Sequence, residues 1–482
     1  MGAIQAIWRI IAVNEFIKMV LNELRQGIVQ GISVAIIAGA VIAYSYAKHK
    51  EKYNGAKPFP WRKTILIFLL AGYLAVLGYA TLSRLGGMGA SGFSFHPFRA
   101  WREAWNNFSV TSWANVLLNI AMLIPFGILI PLLFQRCKKW NYMLLASLGL
   151  VLYIETTQYF TGRGIFDIDD IFGNTLGAMI GYFLLTFVLS LFVEKENRIR
   201  KVLGYGLLVM LPVAAIGSIF IAYNLQEYGN LPDAYTYQID TSNIEWMLDC
   251  DLSDEKQVVD IYKMDVPSQE DFDTLRDRFE QVLGEEFERT DYYDESIIYM
   301  NQWSDGPCSH FLTVQCIDGS YELSYIYDED PTPAETDRET IEGLLSEYGI
   351  VIPESAEFSY LHSGIHLFTV EHITDGDTII EGKVSCVYNE DGSISRINNS
   401  LIYYTFHGEE SIISENEAYE KLCRGEFNDE TGSLENASEV TVTSCTLEYQ
   451  VDTKGYYQPV FIFEVTTDVN DERLAVMIPA LG

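Results

Sequence analysis

The sequence predicts a membrane all-α helical bundle of about six transmembrane helices followed by a C-terminal extracytoplasmic α+β domain. Three observations predict it. Uncharged apolar runs crowd the first 226 of the 482 residues. Charge divides at nearly the same place: residues 1–220 hold 20 Lys and Arg against 10 Asp and Glu, whereas residues 221–482 hold 12 against 56. Within the apolar half, Lys and Arg gather in alternate connecting loops, the pattern that keeps such loops cytoplasmic.

Residues 1–25 are read as an interfacial amphipathic helix. Ile10, Val13, Ile17, Val20, Leu21, Leu24 and Ile28 share one helical face, with Asn14, Lys18, Asn22 and Arg25 opposite. Packing of the same helix against the bundle satisfies this pattern equally. The transmembrane domain is placed at 26–224, because six runs meet the requirement of about 20 mostly apolar residues per span. They lie at 26–47, 64–83, 113–134, 141–160, 170–193 and 202–224, and no cleavable leader is expected ahead of them. Lys48, Lys50, Lys52, Lys57, Arg62 and Lys63 occupy the first loop, Arg136, Lys138 and Lys139 the third, and Lys195, Arg198, Arg200 and Lys201 the fifth. Those loops are predicted to face the cytoplasm of a multi-pass cell-membrane protein, with the loops at 84–112 and 161–169 and both termini outside.

The acidic region, 225–482, contains no run long enough to span. A helix with a capping-box start is predicted at 268–283, followed by strands at 296–302, 309–317 and 320–327. A second helix at 335–349 precedes strands near 356–361, 365–372, 378–388 and 393–404, and a third at 414–427 precedes strands at 438–450 and 458–466. This recurrence predicts two or three α+β units, each a helix against an antiparallel sheet. Six of the seven Cys lie here, so up to three disulfides or a set of buried thiols are both compatible with an extracytoplasmic location. The acidic balance argues against nucleic acid and against anionic lipid surfaces as partners of this region, and does not name the partner it does have.

Candidate function-bearing residues concentrate between Glu155 and Gly181. By the predicted directions of the spans, Asn115 and Asn119 lie one turn apart in the outer half of the third, Glu155 and Gln158 near the outer end of the fourth, and Asp170 and Asn174 in the first two turns of the fifth. Arg84 ends the second span, and Arg163 and Asp167 occupy the loop at 161–169. Charged side chains in a span are costly and mark function when they face the bundle. Plainer readings stand beside that one: Asp169 and Asp170 as first-turn acids capping their own helix, and Glu155 in an ion pair with Arg163 or Arg84. Gly173, Gly177 and Gly181 recur every fourth residue and read as helix-packing positions. Pro125 is expected to free a carbonyl near Ala121 and kink the third span, opening a pocket beneath Asn119.

The combination of Asn119, Pro125, Phe126 and Gly127 with Glu155, Gln158, Arg163, Asp167, Asp170, Asn174, Gly177 and Gly181, preceded by G-Y-A-T-L-S-R at 78–84, resembles the VanZ-like family over roughly residues 64–193. The resemblance implies a protein of the bacterial cell envelope, linked to low-level resistance to teicoplanin-type glycopeptide antibiotics. Farther on, I-S-E-N-E-A-Y-E-K-L at 413–422 and G-Y-Y-Q-P-V-F-I-F-E at 455–464 resemble the small helix-plus-sheet modules of the PepSY and YycH/YycI type, which implies a binding or regulatory ectodomain.

The cluster predicts a binding site made of Arg84, Asn119, Glu155, Gln158, Arg163, Asp167, Asp170 and Asn174, for the phosphate or sugar headgroup of a lipid-linked cell-wall precursor in the bilayer. No cofactor is required by that reading. Catalysis stays open as the alternative, with Glu155 and Asp170 as candidate acid–base residues and Asp167 and Asp170 holding a divalent cation on a lipid phosphate. A third reading gives the ectodomain a sensory role and makes the bundle its anchor. The sequence lacks a Walker loop, G-x-S-x-G, H-E-x-x-H and C-x2-C. His362, His366 and His372 fall in strand-like sequence, where surface or partly buried histidine is the simpler reading than metal ligation.

Overall fold

The computed structural model describes residues 36–53, 57–82, 92–192, 197–293, 296–301, 308–327, 331–429, 432, 434, 436–469 and 473–481. The expected interfacial helix at 1–25 lies outside the described residues, as do Arg84 and the first ten residues of the expected span at 26–47. The described residues divide between Glu227 and Tyr228 into two compact units.

The first unit is helical. Residues 36–53 form α1, which is followed by α2 (Trp61–Leu82), α3 (Arg99–Asn107), α4 (Val110–Met122), α5 (Ile124–Leu133), α6 (Trp140–Thr161), α7 (Ile168–Phe192) and α8 (Arg198–Leu225). Counting α4 with α5 as one span, five of these are long and apolar enough to cross a membrane among the described residues. They correspond to the second through sixth expected spans. Two two-residue strands, β1 (Phe93–Ser94) and β2 (Phe166–Asp167), pair in parallel near the start of α7.

Helix α7 packs against α4, α5, α6 and α8, and its glycines explain how. A Cβ at Gly177 would overlap the carbonyl of Ile120, and one at Gly181 the carbonyl of Ile124; reciprocally, a Cβ at Gly127 would overlap the carbonyl of Ala178. Backbone therefore meets backbone along this seam, as small residues permit where helices associate in lipid. The contacts advance together along both helices, so α4–α5 and α7 run in the same direction.

The third span breaks where Pro125 cannot donate a hydrogen bond. Leu123 leaves helical geometry with φ −96° and ψ 2°, and α5 restarts with Gly127 N donating to Leu123 O at 3.1 Å. The Tyr73 hydroxyl of α2 donates to the carbonyl of Met122 at 2.8 Å. The break thus hands one carbonyl to a neighbouring helix.

The second unit is built on a 14-stranded sheet. In chain order its elements are β3 (Glu245–Leu248), β4 (Val258–Met264), α9 (Gln269–Leu283), β5 (Arg289–Tyr292), β6 (Ser296–Met300), β7 (Cys308–Gln315), β8 (Tyr321–Tyr327), α10 (Arg338–Glu347), β9 (Glu357–Tyr360), β10 (Ile365–Asp375), β11 (Thr378–Tyr388), β12 (Ile394–Asn399), β13 (Ile402–Ser411), α11 (Glu415–Cys423), β14 (Glu439–Val451), β15 (Tyr456–Thr467) and β16 (Leu474–Pro479). In space they run β3-β14-β15-β4-β13-β11-β12-β8-β7-β6-β5, with β16 beside β15 and β10 joining β9 to β11. Every ladder is antiparallel except β3 with β14.

Two helix-backed cores share this sheet. Phe272 and Phe279 of α9 and Ile341 and Leu345 of α10 pack on strands β6 to β8 and β10 to β12, whereas Ala418 and Leu422 of α11 pack on β14 to β16. Between them lies a smaller seam of Met264, Ile379, Tyr404 and Tyr457. The capping boxes at Ser268 with Asp271 and at Ser414 with Glu417 close both reciprocal hydrogen bonds.

The stretch 393–404, expected to be one strand, is two. β11 pairs with β13 over Thr378–Glu381 and with β12 over Val384–Tyr388. The switch falls at Gly382, where φ is 126° and a Cβ would overlap the carbonyl of Ser400. The close approach of Ser400 to that glycine separates β12 from β13.

His366 is fully buried rather than partly exposed. It accepts from Thr336 N through Nε2 at 3.1 Å and faces Gly364 O through Nδ1 at 2.9 Å. Its ring is consumed by loop anchoring.

Candidate functional site

The site is built where the start of α7 meets the last turns of α4 and α6. Gly162, left-handed at φ 64°, ends α6, and Arg163 N donates back to Gln158 O at 2.9 Å. This glycine-terminated cap turns the chain sharply. Two residues of β2 then deliver Asp167 to the head of α7, where its Oδ1 accepts from Asp169 N at 2.8 Å and caps the helix.

Four of the expected residues meet in two pairs. Asn119 Nδ2 of α4 donates to Asp170 Oδ1 of α7 in a short hydrogen bond, and Asp167 N donates to Glu155 Oε2 of α6 at 3.3 Å. Glu155 is only 2% exposed. Asn174, equally buried, donates to the Asp170 carbonyl at 2.9 Å, while its Oδ1 finds no partner among the described residues. Gln158 points instead to α2, donating to Thr81 O at 3.0 Å. Arg163 is exposed in the turn after α6, and Asn115 is exposed on α4. Burial pushes the Asp167 carboxyl up, opposed by the Asp169 N–H and by the nearby Arg99 guanidinium.

Asp169 does something the sequence did not suggest. Its Oδ1 accepts from Phe98 N at 2.6 Å and its Oδ2 from Ala100 N at 2.8 Å. It therefore caps α3, whose start lies some seventy positions earlier in the chain, while Asp167 caps α7. Arg99 was also missed as a neighbour of the cluster. The only sequence trace of this arrangement is F-S-F at 93–95, whose first two residues pair with Phe166 and Asp167.

Exposed rings border the cluster. Phe93 stands 4.5 Å from the ring of Tyr159 and 5.7 Å from that of Phe166, and Phe98 stands 5.5 Å from Phe172. Phe93, Phe95, Phe98 and Phe172 are all exposed. Trp101 and Trp105 of α3 pack edge-on against Trp113 and Tyr223.

Asp167 and Asp170 each turn one oxygen onto a protein donor, and among the described residues no group of three His, Cys, Asp or Glu is arranged to hold a metal.

A bundle of apolar helices, packed backbone to backbone around a buried polar cluster, defines the first unit as an integral membrane domain. Residues 61–192 match the VanZ/LLP1 family model, so the chain carries a VanZ-like membrane domain. No curated protein matches the chain. Among solved structures, it is similar to the Bacillus megaterium YpeB C-terminal domain at 12% identity, over 45% of this chain and 93% of that one, with a TM-score of 0.17. At that score the likeness carries no argument about fold or function.

Proposed function

We propose that this is a multi-pass protein of the bacterial cell envelope whose polar cluster binds the phosphate or sugar headgroup of a lipid-linked envelope molecule at the outer leaflet. Residues 228–482 then lie outside the cell, as the basic loops imply. The observation that carries the reading is the joining of Asn119 with Asp170 and of Glu155 with Asp167 at the end of an apolar bundle, beside exposed phenylalanine rings. Such a place offers a polar headgroup hydrogen bonds and its chain an apolar surface. Arg163, exposed at the mouth, suits a phosphate oxygen. Occupying the headgroup would lower the access of teicoplanin-type antibiotics to wall precursors.

A photoactivatable polyprenyl phosphate added to membranes containing the full chain tests this. It should crosslink to the bundle and lose that signal in Arg163→Ala; an undiminished signal would sink the proposal. Teicoplanin susceptibility of cells expressing Glu155→Gln or Asp170→Asn, with insertion verified, tests the link to resistance. Deleting residues 230–482 should leave resistance intact if the bundle alone is responsible.

A further inference from the structure

A β-bulge in β14 turns one thiol toward a core that a second thiol, just beyond the end of β3, also borders. Strands β3 and β14 run parallel, with Glu245 opposite Glu439 and Leu248 opposite Val442. Asp249 N donates to Val442 O at 2.9 Å, the bond that closes the last pair of the ladder. β14 then slips against β15 between Val442 and Ser444. The slip changes which side chains face the core: Val440 and Val442 before it, Cys445 and Leu447 after it. Trp246 of β3, and Cys250 and Leu252 in the segment just beyond it, pack against the same core. Two residues beyond Leu248 is Cys250; two residues plus the bulge beyond Val442 is Cys445.

We infer that Cys250 and Cys445 are poised to form a disulfide that ties β3 to β14. The paired strands stand about 4.8 Å apart where the ladder ends, two residues before Cys250, and a disulfide spans roughly 4.4–6.8 Å between Cα atoms. Both residues are thiols in the structure and only partly exposed. Burial first, then the Glu415 carboxylate and the neighbouring Cys250, pushes the Cys445 thiol up to about 12, and burial followed by Glu415 also raises Cys250. Poorly stabilised thiolates favour the disulfide, the reverse of a strongly oxidising couple.

The chemistry is exchange with an external disulfide. One protein thiolate attacks that disulfide, forming a mixed disulfide and expelling a thiolate. The second protein thiolate attacks the protein sulfur of the mixed disulfide and expels the other half. Two protein thiols are oxidised, one external disulfide is reduced to two thiols, and the two protein protons end on the leaving groups or in solvent.

The test uses the full chain in detergent, incubated with glutathione disulfide, trapped with N-ethylmaleimide and mapped by non-reducing mass spectrometry. A Cys250–Cys445 linked peptide should appear, alkylation should fall by two thiols, and the Tm of the second unit should rise on the order of 10 °C because the bridge closes a very long loop. The link should vanish in Cys250→Ser and in Cys445→Ser and persist in Cys423→Ser. Cys423 is the informative control, since Tyr419, one turn before it on α11, senses the charge of both Cys423 and Cys250. A link from Cys423 to either partner, or full alkylation of wild-type Cys250 and Cys445, would overturn the assignment. The wild-type map decides this even if a serine variant misfolds.

Discussion

Replacing Asp169 with Asn should release the start of α3 without disturbing the Asn119–Asp170 pair. In the structure both carboxylate oxygens are used, one on Phe98 N at 2.6 Å and the other on Ala100 N at 2.8 Å, and Asp169 is 5% exposed. An amide keeps one acceptor and presents an NH2 group to the other N–H. The change removes one charge-assisted hydrogen bond, weakens the second and strands a donor, at about 1–3 kcal/mol for the stranded group alone. Phe98 adds to the cost, because its φ of 64° is held against an intrinsic penalty of about 1–2 kcal/mol. Part of the loss is recovered by water at the end of the bundle, so a net of about 2–4 kcal/mol is expected. Hydrogen exchange of the purified full chain in detergent should read this as roughly 30- to 1,000-fold faster exchange of amides in 98–107, at tenfold per 1.4 kcal/mol. Asp170→Asn should leave those amides unchanged. Wild-type protection of 98–107 in Asp169→Asn would refute the reasoning and show that ring packing of Trp101 on Trp113 holds α3 by itself.

Three further outcomes follow from the same geometry. Gly177→Val places side-chain atoms against the Ile120 carbonyl, so the α4–α7 seam must open; a loss of at least about 1–3 kcal/mol is expected, read as a lowered Tm in detergent, whereas Gly149→Ala, which meets nothing, should be silent. Asp452→Ala should loosen the start of the second unit, because its buried carboxylate accepts from Gly229 N at 2.5 Å, Lys454 N at 2.7 Å, Tyr456 N at 2.9 Å and Gln458 Nε2; about 3–5 kcal/mol and faster proteolysis near residue 229 are expected. Stability of the second unit should fall in acid through His310. Burial holds that imidazole below its ordinary range, against the opposing Glu285 carboxylate 3.1 Å away. The unfolded chain therefore takes up the proton first, near pH 6.5, so the contribution is complete above that pH and is lost as the pH falls towards the lower folded value. Melts of His310→Gln and wild type between pH 5 and 8 should converge at the acid end; a constant gap would refute this.

What could be read from the sequence was what depends on one segment. The glycine stripe of α7, the capping boxes and the five apolar helices each carry their signal within a turn or a span. Asn119, Glu155 and Asp170 were legible because charge and amide groups in apolar runs need partners, and span direction alone puts them at one end. Asp169 was not, because its donors belong to α3 and a first-turn acid reads the same whichever helix it caps. β3, β4, β5 and β16 escaped for a related reason: short strands acquire their identity from the neighbour they pair with. The break between β12 and β13 depends on Gly382, across the sheet.

The position of β4 sets an order on how the second unit can assemble. β4 is made early, yet both its neighbours, β13 and β15, come much later in the chain. At about 5–20 residues per second of synthesis, the roughly 190 residues that separate β4 from β15 amount to some 10–40 seconds. Until β13 is made β4 is a strand with two open edges, and until β15 is made it keeps one, while a self-contained core of α9, α10 and their strands can form without it. The C-terminal hairpin of β14 and β15 then acts as the closing piece, recruiting β3 and β4 at once. A chain lacking its last forty residues would keep β4 on β13 but lose β15, β16 and most of β14, on which β3 is seated, so damage at the extreme C-terminus should be felt at the opposite end of the unit's sequence.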